Sequence, residues 1–365
     1  MEKFMEKKVV VSGMRPTGRL HLGNYWGALH NWIKLQNDYK CYFFIADLHS
    51  LTTAYDNTSD IYENSILMVV DWLSCGIDPN KAVIFRQSDI KEHYQLHLIL
   101  SMITPISHLL RNPTFKEQLV EIYKRKYQGQ EDKAKKATGY IEKIGEISQM
   151  ERDEIDAMNS DAANYGFLGY PVLQSADILL YDADFVPVGK DQLAHIEITR
   201  EIARRFNKLF SSILKEPQAL LTENPLLPGI DGKKMSKSYG NTIYIGENGE
   251  ELRKKIMRMY TDPQKIKATD KGNPSGCVVF AFHKIYNSNF KEREDECKEG
   301  KIGCVNCKKH LFEILDKIMK EIDEKRNYYL SNKSVILEII EKGNILASKV
   351  ASGKFAEVMK VVKLR

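Results

Sequence analysis

Three segments of this chain combine residue types and spacings that can do chemistry. The first is Lys233-Lys234-Met235-Ser236-Lys237-Ser238, preceded by Leu227-Pro228-Gly229-Ile230-Asp231-Gly232. A glycine-rich loop that carries several lysines can close over phosphates, because each lysine is a mobile point charge and the serine hydroxyls can bond phosphate oxygens. The second is Ser12-Gly13-Met14-Arg15-Pro16-Thr17-Gly18-Arg19-Leu20-His21-Leu22-Gly23-Asn24. Its glycines permit close backbone approach to a ligand, and a helix opening there offers unsatisfied N–H groups to an anion such as a triphosphate. His21 and Asn24 can add side-chain hydrogen bonds. Taken singly, each loop is also what an ordinary basic or tight surface turn looks like. The third segment holds Cys277, Cys297, Cys304 and Cys307, in the pattern Cys-x19-Cys-x6-Cys-x2-Cys. Four thiolates suit zinc or a [4Fe–4S] cluster, and unligated thiols are the plain alternative.

The elements that must position these groups read as alternating strands and helices. Val9-Val10-Val11, Cys41 to Ala46 and Ala82 to Phe85 are short apolar runs expected to be buried strands. Helical spacing runs from Tyr25 to Leu35 and from Ile66 to Leu73. This β-α-β-α-β order implies an α/β fold, a Rossmann-like parallel sheet with helices on both faces. Ligands of such sheets sit at the carboxyl ends of strands, so functional residues are expected just after Val11, Ala46 and Phe85. The pattern resumes at Tyr170 and passes through a strand at Asp184 to Gly189. After Leu252 the chain is mostly charged amphipathic helix, including Lys309 to Tyr329 and Lys333 to Lys342. The expected division is a catalytic domain over 1–245 and a C-terminal helical domain over 246–365. A polar, charged stretch from Tyr123 to Met158 reads as a surface insertion at about 120–160.

With 365 residues and 43% hydrophobic content, two domains with sizeable cores are expected. The net charge of +5 tolerates a nucleic-acid partner without demanding one. No run of about 18 apolar residues occurs, so no transmembrane helix is expected. The mixed-charge start is unlike a signal peptide, so a cytoplasmic location is expected. Cytoplasmic cysteines rarely form disulfides, which favours a metal centre for the cysteine group.

Taken together, the His21-Leu22-Gly23-Asn24 segment and the Lys234-Met235-Ser236-Lys237-Ser238 loop resemble the paired signatures of class I aminoacyl-tRNA synthetases. The segments Tyr170 to Tyr181 and Val186 to Arg200, with Gly13-Met14-Arg15-Pro16-Thr17-Gly18, resemble the tryptophanyl-tRNA synthetases in particular. The resemblance covers Ser12 to Gln118 and Gly166 to the carboxyl end. It implies ATP-dependent activation of L-tryptophan and its transfer to tRNA(Trp), with Mg²⁺ accompanying ATP and a homodimer as the assembly. It implies catalytic roles for His21, Lys234 and Lys237. It implies an ATP site around Arg15, Pro16, Thr17, Gly23, Asn24, Gly189, Lys190, Asp191, Leu227, Met235, Ser236 and Ser238. Lys190 departs from the glutamate that the resemblance leads one to expect.

For the amino acid, Tyr170, Gln174 and Asp177 share a helix face at i, i+4 and i+7. Asp177 can accept an indole N–H, Tyr170 and Gln174 can hold the ammonium, and Gln192 can bind substrate. Val186 and Val188, alternating on a strand, are expected to line the ring pocket. Tyrosyl-tRNA synthetases share the Tyr-x-x-x-Gln-x-x-Asp pattern, so these three residues alone do not decide the substrate. A subset of tryptophanyl-tRNA synthetases carries an iron–sulfur cluster on a similar four-cysteine pattern. That resemblance makes a [4Fe–4S] cluster at Cys277, Cys297, Cys304 and Cys307 the first expectation, with Zn²⁺ as the alternative. The helical part is expected to read the anticodon, with Lys308, Lys309 and Arg326 as candidate contacts.

Overall fold

The structure is a computed structural model, and it describes residues 7–110, 164–221 and 227–364. The expected insertion from Tyr123 to Met158 lies outside the described residues, as does the side chain of Asp191. Five apolar runs form β1 (Val9–Met14), β2 (Lys40–Ile45), β3 (Ala82–Arg86), β4 (Phe185–Val188) and β5 (Gln218–Leu221). They pair in parallel in the order β3-β2-β1-β4-β5. A parallel sheet is covered on both faces, which explains why β2 is buried continuously from Cys41 to Ile45.

Side-chain parity sorts the strands into two cores. Val10, Cys41, Phe43, Ile45 and Ile84 face one apolar layer with Trp32 and Trp72. Val11, Tyr42, Phe44, Phe85, Val186 and Val188 face the other, against Val172, Ala176, Ile196 and Phe206. The strand order reverses direction at β1, so a crevice opens where β1 and β4 diverge.

A third core lies in the helical part, where Leu252, Ile256, Val278, Phe282, Leu311 and Leu315 pack together. The helix Cys304–Ser331 belongs to it. The last helix, Lys333–Val361, turns back onto the sheet. Its Ile336 and Ile340 join one sheet core, and Ala347, Ala351 and Val358 join the other. Gly343 lies so close to β3 that a Cβ there would sit 1.7 Å from the Ile84 carbonyl oxygen. Asn344 completes the seam: its Oδ1 accepts from the Arg86 N–H at 3.0 Å, and its Nδ2 donates to Asp89 at 2.7 Å. The sheet edge at β3 is thereby covered by a helix. Residues 246–365 therefore share the sheet's cores as well as having their own. Among the described residues, no helix is long and apolar enough to cross a membrane.

Candidate active site

The crevice at the carboxyl ends of the strands is a cavity of about 310 Å³. Gly13 and Arg15 reach it from the end of β1, and Ala46 and His49 from the end of β2. The helix Tyr165–Leu179 turns Tyr170, Gln174 and Asp177 into the same cavity, as their spacing requires. Gln192 and His195 enter after β4. A larger, mostly apolar groove of about 840 Å³ adjoins it and shares Thr52 and Tyr170.

Asp177 is fully buried. Its Oδ1 accepts from Gln87 Nε2 at 2.7 Å and from His93 Nδ1 at 2.6 Å, and its Oδ2 accepts from His49 Nε2 at 2.8 Å. Burial alone would push this carboxyl up. The hydrogen bonds and charges of His49 and His93 outweigh it and hold the group well below the usual carboxylate range. Its fourth lone-pair direction remains for a ligand N–H. The Tyr181 hydroxyl, 2.9 Å from His93 Nε2, is kept protonated by burial and then by the Asp177 charge. It holds the far side of the His93 ring, which keeps Nδ1 aimed at Asp177. Tyr170 Oη lies 3.0 Å from His195 Nε2. His49, Gln87 and His93 were not singled out in the sequence. They follow β2 and β3, where ligands of this architecture are found.

The two phosphate-type loops meet each other beyond Arg15, outside the residues that line this cavity. An isolated antiparallel bridge joins His21 to Tyr244. Leu22 N–H donates to Ile243 at 2.9 Å, and Ile245 N–H to Leu20 at 3.0 Å. Gly23 N–H points at Met235 Sδ, 3.3 Å away. Lys237 Nζ donates to the Thr17 carbonyl at 2.8 Å, across 220 residues of sequence. His21 caps the helix start at Leu22–Asn24: its Nδ1 accepts from Asn24 N–H, while Asn24 Oδ1 accepts from His21 N–H. Burial, then the Lys237 charge, lowers the His21 pKa to about 4. The ring is therefore neutral near pH 7, with its proton on Nε2. A π-helical turn, Tyr25–Leu29, follows before regular helix resumes at His30–Asp38.

Asn241, another residue without a sequence signal, staples the lysine loop. Its Oδ1 accepts from Ser236 N–H at 2.8 Å, and its Nδ2 donates to Asp231 at 2.8 Å and to the Lys234 carbonyl at 3.1 Å. A Cβ at Gly229 would fall 2.3 Å from the Asn241 amide, so this turn requires glycine. Ser236 and Ser238 hydroxyls are 2.9 Å apart.

Other expected site residues lie outside the lining of this cavity. Val186 and Val188 are not among the residues lining the cavity. Both pack in the same sheet core as Phe44, which does line the cavity. Leu227 and Met235 bury their side chains in the helical core, which leaves only backbone or sulfur for a ligand. Pro16 is buried and Thr17 exposed on the loop under Lys237. Gly189 caps a short turn, Lys190–Gln192, in which Lys190 is exposed. Lys234 is exposed at the loop rim. Arg326 is buried against Asp71, its Nε donating to Oδ1 at 2.8 Å, so it cannot meet RNA. Lys308 donates to the Met257 carbonyl at 3.0 Å, while Lys309 is exposed.

Cys277, Cys297, Cys304 and Cys307 line one small, apolar cavity. Burial pushes the Cys307 thiol up to about 12. A Cβ at Gly272 would fall 2.7 Å from Cys297 Sγ, so glycine makes room for that sulfur. Among the described residues, no three His, Cys, Asp or Glu side chains are grouped as a single metal ion needs. Arg293, which also lines the cavity, has a buried Nε–H with no hydrogen-bond partner.

A parallel sheet whose first strand leads past the cavity to a capped histidine turn held against a lysine loop is the architecture of a class I nucleotide-activating enzyme. The family model described as tRNA synthetases class I (W and Y) matches residues 3–133 and 127–320. A tryptophan–tRNA ligase of Aquifex aeolicus is 42% identical, over 97% of this chain and 99% of its own. One of Thermotoga maritima is 41% identical, over 97% and 99%. The crystal structure of tryptophanyl-tRNA synthetase from Campylobacter jejuni, complexed with ADP and tryptophan, superposes with a TM-score of 0.77 at 33% identity, over 97% of this chain and 99% of that one. The chain belongs to the class I tryptophanyl-tRNA synthetases.

Proposed function

We propose that this chain activates L-tryptophan with ATP and transfers it to tRNA(Trp). The observation that supports the reading is that the segment leaving β1 lines the Asp177 cavity with Gly13 and Arg15 and, two residues on, meets the lysine loop at Thr17. In the first step a tryptophan carboxylate oxygen attacks the α-phosphorus of ATP and pyrophosphate departs. In the second, the terminal ribose hydroxyl of the tRNA attacks the adenylate carbonyl and AMP departs. Neither step needs a covalent enzyme intermediate, so the chain contributes positioning and charge. Neutral His21 donates its Nε2–H to a phosphate oxygen. Lys237 exchanges the Thr17 carbonyl for the leaving pyrophosphate, and Lys234 joins it from the loop rim. The groups here are cations and N–H donors, so Mg²⁺ would be held by the ATP phosphates themselves. Asp177 takes the indole N–H with its remaining lone pair, and Tyr170 and Gln174 face the ammonium.

The four thiols fit a [4Fe–4S] cluster held by Cys277, Cys297, Cys304 and Cys307. Zinc bonds of about 2.3 Å would draw four thiolates onto one point. The four thiols ring one cavity without three of them gathering at a single point, which supports the cluster over zinc. When bound, such a cluster would crosslink the segments around residues 277, 297 and 304–307. Exposed Tyr94, Leu98 and Met102, at i, i+4 and i+8 on the helix Glu92–Ile103, with Ile106 beyond it, support a homodimer. The helical part with exposed Lys309 is the surface for the anticodon, and the cytoplasm is the compartment.

Tryptophan-dependent exchange of pyrophosphate into ATP tests the central reading, with tyrosine run in parallel. Exchange with tryptophan and not with tyrosine is expected. Exchange with neither amino acid overturns catalysis, and a preference for tyrosine overturns the substrate.

A further inference from the structure

We infer that Arg293 and Lys265 are positioning residues for the proposed cluster: Arg293 Nε–H donates to one of its sulfurs, and the two cations offset its negative charge. This rests on the cluster reading given above. A cubane held by four thiolates carries net negative charge, and a buried anion is costly unless cations or N–H donors face it. Both side chains line the thiol cavity. Lys265 is buried at 8% exposure, unusual for a lysine; its ammonium is held by the Asp270 carbonyl, and the Asp262 carboxylate lies within range of its charge. Arg293 is anchored from behind, its Nη1 bonding Glu296 at 2.5 Å and its Nη2 meeting His310 Nδ1 at 2.8 Å. Those bonds fix the guanidinium and leave Nε–H buried without an acceptor. An orphaned buried N–H calls for a missing acceptor, and sulfur in the adjoining cavity is one. Hydrogen bonds to sulfur and nearby charge both set the potential of an iron–sulfur cluster.

Three variants separate the contributions: Arg293→Lys keeps charge and loses Nε–H, Arg293→Met loses both, and Lys265→Met removes only the second cation. Each is purified without oxygen as the full chain. Iron and sulfide per chain, the midpoint potential and the rate of cluster loss to a chelator are measured, with far-ultraviolet dichroism as the folding control. Arg293→Met and Lys265→Met should each shift the potential negative and lose the cluster several-fold faster, with Arg293→Lys between wild type and Arg293→Met. A wild-type chain without iron and sulfide rejects the cluster reading itself. A wild-type cluster whose potential and lifetime are unchanged in folded Arg293→Met and Lys265→Met rejects the role of these cations and leaves that reading standing. Failure of the methionine variants to fold passes the decision to Arg293→Lys and to Lys265→Arg. Unchanged potential in the first, or altered potential in the second, then overturns the inference.

Discussion

Asp177 is a charge kept inside the molecule by three N–H donors, from Gln87, His93 and His49. In Asp177→Asn one oxygen becomes an NH₂ facing groups that themselves donate. The expected loss is about 10²-fold in tryptophan-dependent exchange, with stability lower by about 1–3 kcal/mol in urea unfolding. The pH dependence follows from the depressed native pKa. The native state releases this proton more readily than the unfolded chain does, so the stabilisation is complete above about pH 4 and fades as pH falls toward the native value. The variant should therefore lose part of the acid slope that wild type shows. His21 has the same sign: its native pKa of about 4 lies below that of an unfolded histidine, so its contribution is full above about pH 6.5 and is lost on descent toward pH 4. His21→Asn keeps a capping side chain and removes the Nε2–H donor. It should fold, show less stability loss between pH 7 and pH 5, and lose about 10²-fold in exchange rate. At this scale the sequence was informative where residues shared one element. Tyr170, Gln174 and Asp177 follow from helical spacing, whereas His49 and His93 reach Asp177 only because β2 and β3 end beside it. Val186 and Val188 share a core with Phe44, and alternation identifies their common face without saying how near the crevice it comes.

Two elements owe their position to glycines that no helix or strand pattern explains. The lysine loop depends on Gly229, which lets Asn241 reach Ser236, Asp231 and Lys234. Asn241→Ala should leave the global fold intact while loosening the loop. The expected result is a raised KM for ATP and a lowered kcat in pyrophosphate exchange, with KM for tryptophan near wild type. Gly343 sets the seat of the last helix on β3. In Gly343→Ala the added methyl meets backbone, which cannot rotate away, so the helix must lift. A loss of about 1–3 kcal/mol or more is expected, read as a lower urea midpoint. The strands β1 to β4 and the long C-terminal helices were legible as apolar runs and amphipathic spacing. β5 was not: Gln218–Leu221 is four residues at a sheet edge with exposed ends, too short to show a pattern. The π turn at Tyr25–Leu29 also escapes, since the apolar spacing there fits an ordinary helix.

Across the whole molecule, the sequence divides near residue 245 by composition, yet the packing does not part there. Ile245 lies in one apolar layer with Trp32, Trp72, Ile336 and Ile340. Amphipathic spacing in Lys333–Val361 announces a buried face and says nothing of what covers it; the cover is the catalytic sheet. The buried Asp71 shows the same coupling by charge, accepting from Leu20 N–H at 2.8 Å and from Arg326 Nε at 2.8 Å. One carboxylate thus holds the turn that leads to His21 and the helix that leads to the C-terminal segment. Burial pushes the Asp71 carboxyl up, and the Leu20 and Arg326 contacts oppose that push. Removing Arg326 leaves the charge buried with one donor, at a cost of about 3–5 kcal/mol. Arg326→Met should therefore lower the unfolding midpoint of the full chain while preserving a single cooperative transition, because both halves share these cores. A chain ended at residue 245 loses Arg326 and every C-terminal side chain of the sheet cores. It should be insoluble or unfolded, with tryptophan fluorescence reporting solvent-exposed indoles. A folded, tryptophan-activating 1–245 fragment would show that the sheet is stable without its returning helix, and that the seam at β3 holds the two parts together without supporting either.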